Sequence, residues 1–228
     1  MGLAKGFRPN LLSGLKLDFD SSLGITTVSG AVSAWANQGY ASNNLSMGTA
    51  GLRPLYTANL LNGLPGVQFD GVDDRMDFAS LVSDTTATIF LVVSGATPNN
   101  NGVNACLVTL DKLVVVMNDP NTADGWGAFV NTNVTSGVVL NAAGHVLSNV
   151  SRAFNDQDLV TDGVLVHKTN GTSFPARGGS AIGNYVTGGQ PTFVTFHRFM
   201  LYDRALSVNE RKAVEQYLGH RYAISVAA

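Results

Sequence analysis

The sequence predicts an all-β fold, two antiparallel sheets packed face to face, with one short helix near the C-terminal end. Three observations predict it. Short apolar runs bounded by Gly, Asn, Asp and Pro recur along most of the 228 residues, at the spacing of a sandwich. The run 193–202 alternates in side-chain direction and carries large apolar groups on both faces. Finally, Ser207-Val208-Asn209-Glu210 is a capping box, the clearest helix start in the chain.

Taken in order, residues 1–10 read as an N-terminal arm, followed by strands at 15–19, 66–69, 88–93, 105–110 and 113–117. Further strands are expected at 126–130, 134–140, 145–151, 159–168, 179–182 and 193–202. In the last of these, Val194, Phe196, Arg198, Met200 and Tyr202 share one face, and Phe193, Thr195, His197, Phe199 and Leu201 the other. Such a strand belongs inside a sheet, beneath the second sheet on one side and a loop or a neighbouring molecule on the other. The helix is expected over 207–219, with Val214, Tyr217 and Leu218 as its apolar stripe and Gly219 as its stop. No linker or low-complexity stretch interrupts the chain, so 1–228 is expected to form a single domain.

Composition narrows the function. Only 13% of residues are charged, about half the usual share, and the net charge is -2 without a Lys/Arg cluster. A nucleic-acid partner would need a basic stripe to neutralise phosphates, so none is expected. A surface this poor in charge is often covered by another surface. The single cysteine, Cys106, lies in an apolar run and reads as a small buried side chain. The N-terminal residues lack an apolar core of signal-peptide length, and no run approaches about 18 uninterrupted apolar residues. The expectation is a chain made in the cytoplasm without a signal peptide and without membrane insertion.

Arg53-Pro54-Leu55-Tyr56-Thr57-Ala58-Asn59, followed by Leu61-Asn62-Gly63-Leu64-Pro65-Gly66-Val67-Gln68-Phe69-Asp70-Gly71-Val72-Asp73-Asp74, resembles a phrase common in concanavalin A-like, laminin-G-like jelly rolls of phage and bacterial surface proteins. The stretches around Leu12–Asp18, Val32–Gln38 and Phe199–Arg211 agree with the same pattern, whereas 96–173 matches only in its rhythm of strands and turns. The resemblance implies a two-sheet antiparallel jelly-roll sandwich, concanavalin A-like, with its one C-terminal helix. It also implies a phage virion subunit, a capsid decoration, cement or tail-associated protein bound to other virion proteins or to copies of itself. This sandwich serves lectins and glucanases too, so fold alone decides little. The alternative is a lectin-like module that binds carbohydrate or a host surface glycan.

The chemistry carried by the residues is sparse. Retaining glycosidases need two opposed carboxyl groups about 5–5.5 Å apart. The chain has just two glutamates, Glu210 and Glu215, both in the expected helix, which argues against an enzyme. Asp70, Asp73, Asp74 and Asp77 form the densest carboxylate set. A Gly-centred turn is preferred there over a Ca²⁺ site, because the EF-hand spacing and terminal Glu are missing. No cofactor is expected. His145, His167, His197 and His220 show no metal-ligand spacing. Asn118, Asp124 and Trp126 combine amide, carboxylate and indole, the materials of a sugar site, although a hairpin loop whose Trp enters the core accounts for them as well.

Overall fold

The structure, a computed structural model, describes residues 6–79, 81, 86–97, 105–110, 113–117, 126–129, 133–135, 138, 140–153, 156–169 and 179–228. The strands begin with β1 (Leu15–Asp20), β2 (Ile25–Val28), β3 (Ala31–Trp35), β4 (Leu45–Ser46), β5 (Leu55–Leu61) and β6 (Leu64–Asp70). They continue with β7 (Met76–Phe78), β8 (Ala87–Thr97), β9 (Ala105–Leu110), β10 (Leu113–Met117), β11 (Trp126–Phe129) and β12 (Asn133–Thr135). The last are β13 (His145–Ala153), β14 (Asp156–Thr161), β15 (Val164–Thr169), β16 (Ser180–Ile182) and β17 (Phe193–Tyr202), after which comes the helix α1 (Val208–Tyr222).

Antiparallel pairing arranges one layer as β1-β17-β8-β13-β14-β15. The other runs β2-β3-β4-β7-β16-β9-β10-β11-β12. The β5–β6 hairpin ties them together, since β6 pairs with β17 and Leu55 of β5 with Ala31 of β3. Period-two alternation turns Leu17, Phe19, Leu91 and Leu201 inward to meet Trp35, Met76, Leu107 and Ile182 in one buried cluster. Phe19 lies 5.7 Å from Trp35 and 5.9 Å from Phe199 between ring centroids, fixing the layers at the centre. Each such side chain contributes about 1.5–3 kcal/mol through burial.

A second apolar cluster lies outside the first layer, where Phe90, Val92, Val146, Met200 and Tyr202 meet Val214, Leu218 and Tyr222 of α1. The outer face of β17 is therefore covered by the chain's own helix, not by a loop or a neighbouring molecule as expected. Phe7 and Tyr202 draw the N-terminal arm onto the same surface: Phe7 lies 6.4 Å from Tyr217, and the Tyr202 hydroxyl donates to the Pro9 carbonyl at 2.9 Å.

Local geometry corrects three further expectations. Against β8, Phe196 pairs with Val93 but Arg198 with Val92, so His197 is an extra residue and β17 bulges there. The bulge resets the alternation, and Phe196 and Phe199 both face the inner cluster. The run 159–168 is not one strand but the β14–β15 hairpin, turned at Asp162-Gly163 with φ of 50° and 82°. The helix passes Gly219 and ends at Tyr222, capped by Ala223 in the left-handed region. Gly219 instead makes room for the returning tail: a Cβ there would lie 2.6 Å from Val226 Cγ2. Among the described residues, no helix is long and apolar enough to cross a membrane.

Candidate binding site

The loop candidate from the sequence is not assembled as a site. Asn118 and Asp124 lie outside the described residues. Trp126, the first residue of β11, is 1% exposed and donates from Nε1 to Thr161 Oγ1 at 2.8 Å. Its ring packs in the core and has no face to offer a ligand, because the inner side of β11 needs a large group and Thr161 satisfies the indole N–H. Trp35 is likewise buried, donating to the Asp20 carbonyl at 3.0 Å.

Both glutamates serve the helix. Glu210 closes the capping box on Ser207 and pairs with Arg204 at 2.7 Å, and these contacts hold its carboxyl down at about 2. Glu215 is buried; burial raises its pKa, opposed by Arg211, whose Nη1 reaches its two oxygens at 2.6 and 2.8 Å, and by Ser148. A His–Asp contact not signalled in the sequence joins His145 Nδ1 to Asp162 Oδ2 at 2.8 Å. The other Asp162 oxygen accepts from the Val146 N–H, so the pair clamps neighbouring strands. Its members stand 17 residues apart, and the pairing of β13 with β14 brings them together.

The aspartate turn is held by its own backbone. Asp70 Oδ1 accepts from the N–H groups of Val72 and Asp73 at 2.8 and 3.3 Å, and Asp74 Oδ2 from that of Asp70 at 3.0 Å. One oxygen from each of Asp70, Asp73 and Asp74 falls within 4.8 Å of the others. Arg75 turns to the fourth aspartate of the set, pairing with Asp77 at 2.6 Å and donating to the Val186 carbonyl at 2.9 Å.

Beside this turn opens a cavity of about 140 Å³, at the junction of β6 and β17. Phe193 pairs with Asp70 there, and Gly71 allows the close approach, since a Cβ on it would lie 3.0 Å from that of Phe193. Phe193 is 43% exposed and Leu55 55% exposed, both at the cavity. Gln68 also lines it; its Oε1 accepts from the Thr57 hydroxyl at 2.9 Å, which orients the amide and leaves its NH₂ to donate. Asp74 is only 6% exposed, and that burial, moderated by the Asp70 N–H and reinforced by the charges of Asp70 and Asp73, pushes its carboxyl up to about 6. A raised carboxyl pKa in a cleft marks a functional candidate. The sequence showed the aspartates but not the cavity, because Phe193 and Leu55 come from distant stretches.

A larger cavity, about 260 Å³, lies by Arg8, Asn10, Asp18, Gln38, Arg198 and Tyr217. Its charges are largely spent on one another, since Arg198 donates to Asp18 and Asp20 at 2.7–3.1 Å. In the Asp74 cavity the carboxylates are engaged by backbone N–H groups rather than by a cation, and the Gln68 amide can still donate, which makes it the stronger candidate.

No family model matches the chain, and no curated protein matches its sequence. Solved structures do resemble it. Trypanosoma rangeli sialidase in complex with the inhibitor DANA gives a TM-score of 0.63 at 14% identity, over 90% of this chain and 33% of the sialidase. The binding domain of Paraclostridial Mosquitocidal Protein 1 gives 0.63 at 12%, over 92% of this chain and 52% of that one. Domain 4 of AbnA, a GH43 extracellular arabinanase from Geobacillus stearothermophilus, in complex with arabinotriose, gives 0.60 at 12%, over 89% of this chain and 97% of that domain. The chain thus spans about a third of the sialidase. At these identities the likeness establishes the fold, the concanavalin A-like jelly-roll sandwich.

Proposed function

We propose that this chain is a non-catalytic carbohydrate-binding module and that glycan enters the cavity between Phe193 and the Asp70–Asp74 turn. One observation carries the reading: an exposed phenyl ring stands beside a hydrogen-bond donor, Gln68, and two carboxylates, Asp70 and Asp74, in one small cleft. A sugar has an apolar C–H face and a rim of hydroxyl groups that both donate and accept, so it needs this combination. The likeness to the domain solved with arabinotriose supports the same class of ligand. Glycan-array binding by purified protein is the test, with Phe193→Ala beside it. Binding by the wild type and its loss in the variant are expected. A folded protein that binds no glycan would overturn the proposal.

The virion reading keeps one supporting observation. Leu55, Tyr56 and Leu60 of β5 are all exposed, on a chain with only 13% charged residues, and such a strand can pack against a shell or another copy. The two apolar faces of β17 no longer contribute, since α1 covers the outer one. Sedimentation over a wide concentration range, with a test for copurification with particles, decides this reading: a stable monomer that accompanies no particle rejects it.

A further inference from the structure

We infer that the Phe193 cavity takes one neutral glycosyl unit and rejects sugars that carry a carboxylate, such as sialic and uronic acids. This rests on the glycan-binding reading and adds two restrictions, one of size and one of charge.

Size comes from the cavity itself. At about 140 Å³ it is close to the ~150 Å³ that holds one benzene molecule, so it has room for no more than one sugar ring. An extended groove would hold a run of units, but here the Asp70–Asp74 turn stands against Phe193 with a separation set by Gly71. One ring fits against the phenyl face, and the rest of the glycan emerges past Leu55 into solvent.

Charge comes from the lining. Its ionisable members are Asp70 and Asp74, with Asp73 on the same turn. Leu55, Gln68, Phe193, Val194 and Thr195, from β5, β6 and β17, bring no charge. The nearest cation in sequence, Arg75, is held away by Asp77 and the Val186 carbonyl. A ligand carboxylate would therefore meet like charges in a partly desolvated cleft, without a counter-ion. Neutral hydroxyls meet the opposite situation, because carboxylate oxygens accept their protons and the Gln68 amide donates to their oxygens. Likeness in fold to a sialidase thus coexists with a cavity whose charge disfavours the sialidase's acidic sugar.

The experiment uses an array of matched glycans, each printed with and without a terminal sialic or glucuronic acid, and each neutral glycan as one-, two- and three-unit probes. Wild type and Phe193→Ala are compared; Gln68→Ala serves as a second variant at the opposite wall. The expected result is binding to neutral probes only, a loss of about tenfold or more on adding the acidic unit, and similar affinity for one, two and three units. Both variants should lose about tenfold. Preference for the acidic probes, or affinity that climbs with every added unit, overturns the inference and leaves glycan binding standing. Undiminished binding by both variants places the site elsewhere and also overturns it. Absence of binding to every probe removes the inference together with the reading beneath it.

Discussion

Arg198 grips both carboxylate oxygens of Asp18, from Nε at 2.8 Å and from Nη2 at 2.7 Å, across the pairing of β1 with β17. Its Nη1 reaches Asp20 at 3.1 Å, where Arg221 from α1 also donates at 2.8 Å, and the ring of Tyr217 lies 5.8 Å from the guanidinium. The network joins the first strand, the last strand and the helix. Burying three charges, with Arg221 partly exposed at the edge, costs desolvation, so the two-pronged geometry is what makes the arrangement tolerable.

Removing Arg198 should therefore be severe. Arg198→Met leaves Asp18 and Asp20 enclosed with one remaining cation, and a loss of about 3–5 kcal/mol is expected from denaturant unfolding. Adding Asp18→Leu should recover part of that loss, because an apolar pair replaces an unpaired charge. A single variant as stable as wild type would show that the network contributes nothing.

How much of this was legible in the sequence depends on the range of the signal. Local signals read well: the capping box starts α1 at Val208, and β9, β10 and β17 have the expected bounds. Strands as short as β4 and β7 hold too few residues to show a period, and the exposed β5 lacks apolar alternation, so none left a mark. Asp162-Gly163 was a strong hairpin signal hidden inside a β-branched run. Gly219 looked like a stop because sequence shows a glycine, not the tail packed on it. The bulge at His197 was invisible, since only the partner strand reveals an extra residue. For the site, the Asp70–Asp74 turn was readable, but its cavity needs Leu55 and Phe193, brought in by tertiary pairing.

The N-cap of α1 gives a milder prediction. Ser207 Oγ accepts from the Glu210 N–H while Glu210 reaches back to the Ser207 N–H at 2.8 Å. Ser207→Ala should lower stability by about 1 kcal/mol, read as a shift in the denaturation midpoint. An unchanged midpoint would mean the reciprocal cap is not formed in solution.

His197 predicts acid sensitivity. It is buried at the bulge, with Nδ1 2.8 Å from the Pro65 carbonyl, which can only accept, so Nδ1 carries the proton and Nε2 accepts from the Ser94 hydroxyl at 2.7 Å. Burial, partly offset by the Pro65 contact, lowers its pKa below the ordinary 6.5. The unfolded chain then binds the proton more readily, so the stabilisation is complete above 6.5 and declines as pH falls below it. His197→Gln should flatten the fall in stability between about pH 7 and pH 5 relative to wild type. Parallel pH profiles for the two proteins would contradict the assignment.

Asp74 predicts the opposite slope, and it couples stability to binding. Its carboxyl is raised from 3.8 to about 6, first by burial and then by Asp70 and Asp73, against the relief given by the Asp70 N–H. The folded protein binds the proton more readily than the unfolded chain, so stability falls as pH rises from 3.8 to about 6 and the full cost is present above that. Asp74→Asn keeps an acceptor for the Asp70 N–H while deleting the charge. The variant should unfold at a higher temperature than wild type at pH 7.5, with the gain fading toward pH 4, as calorimetry at both values would record. Glycan binding should move the other way: weaker in Asp74→Asn at pH 7.5, and in wild type weakening as pH drops below about 6 and the carboxylate acceptor is lost. A residue whose removal stabilises the fold and impairs the cleft is retained for its function rather than for packing. Should Asp74→Asn instead destabilise the protein and bind glycan as wild type does, Asp74 belongs to the turn alone.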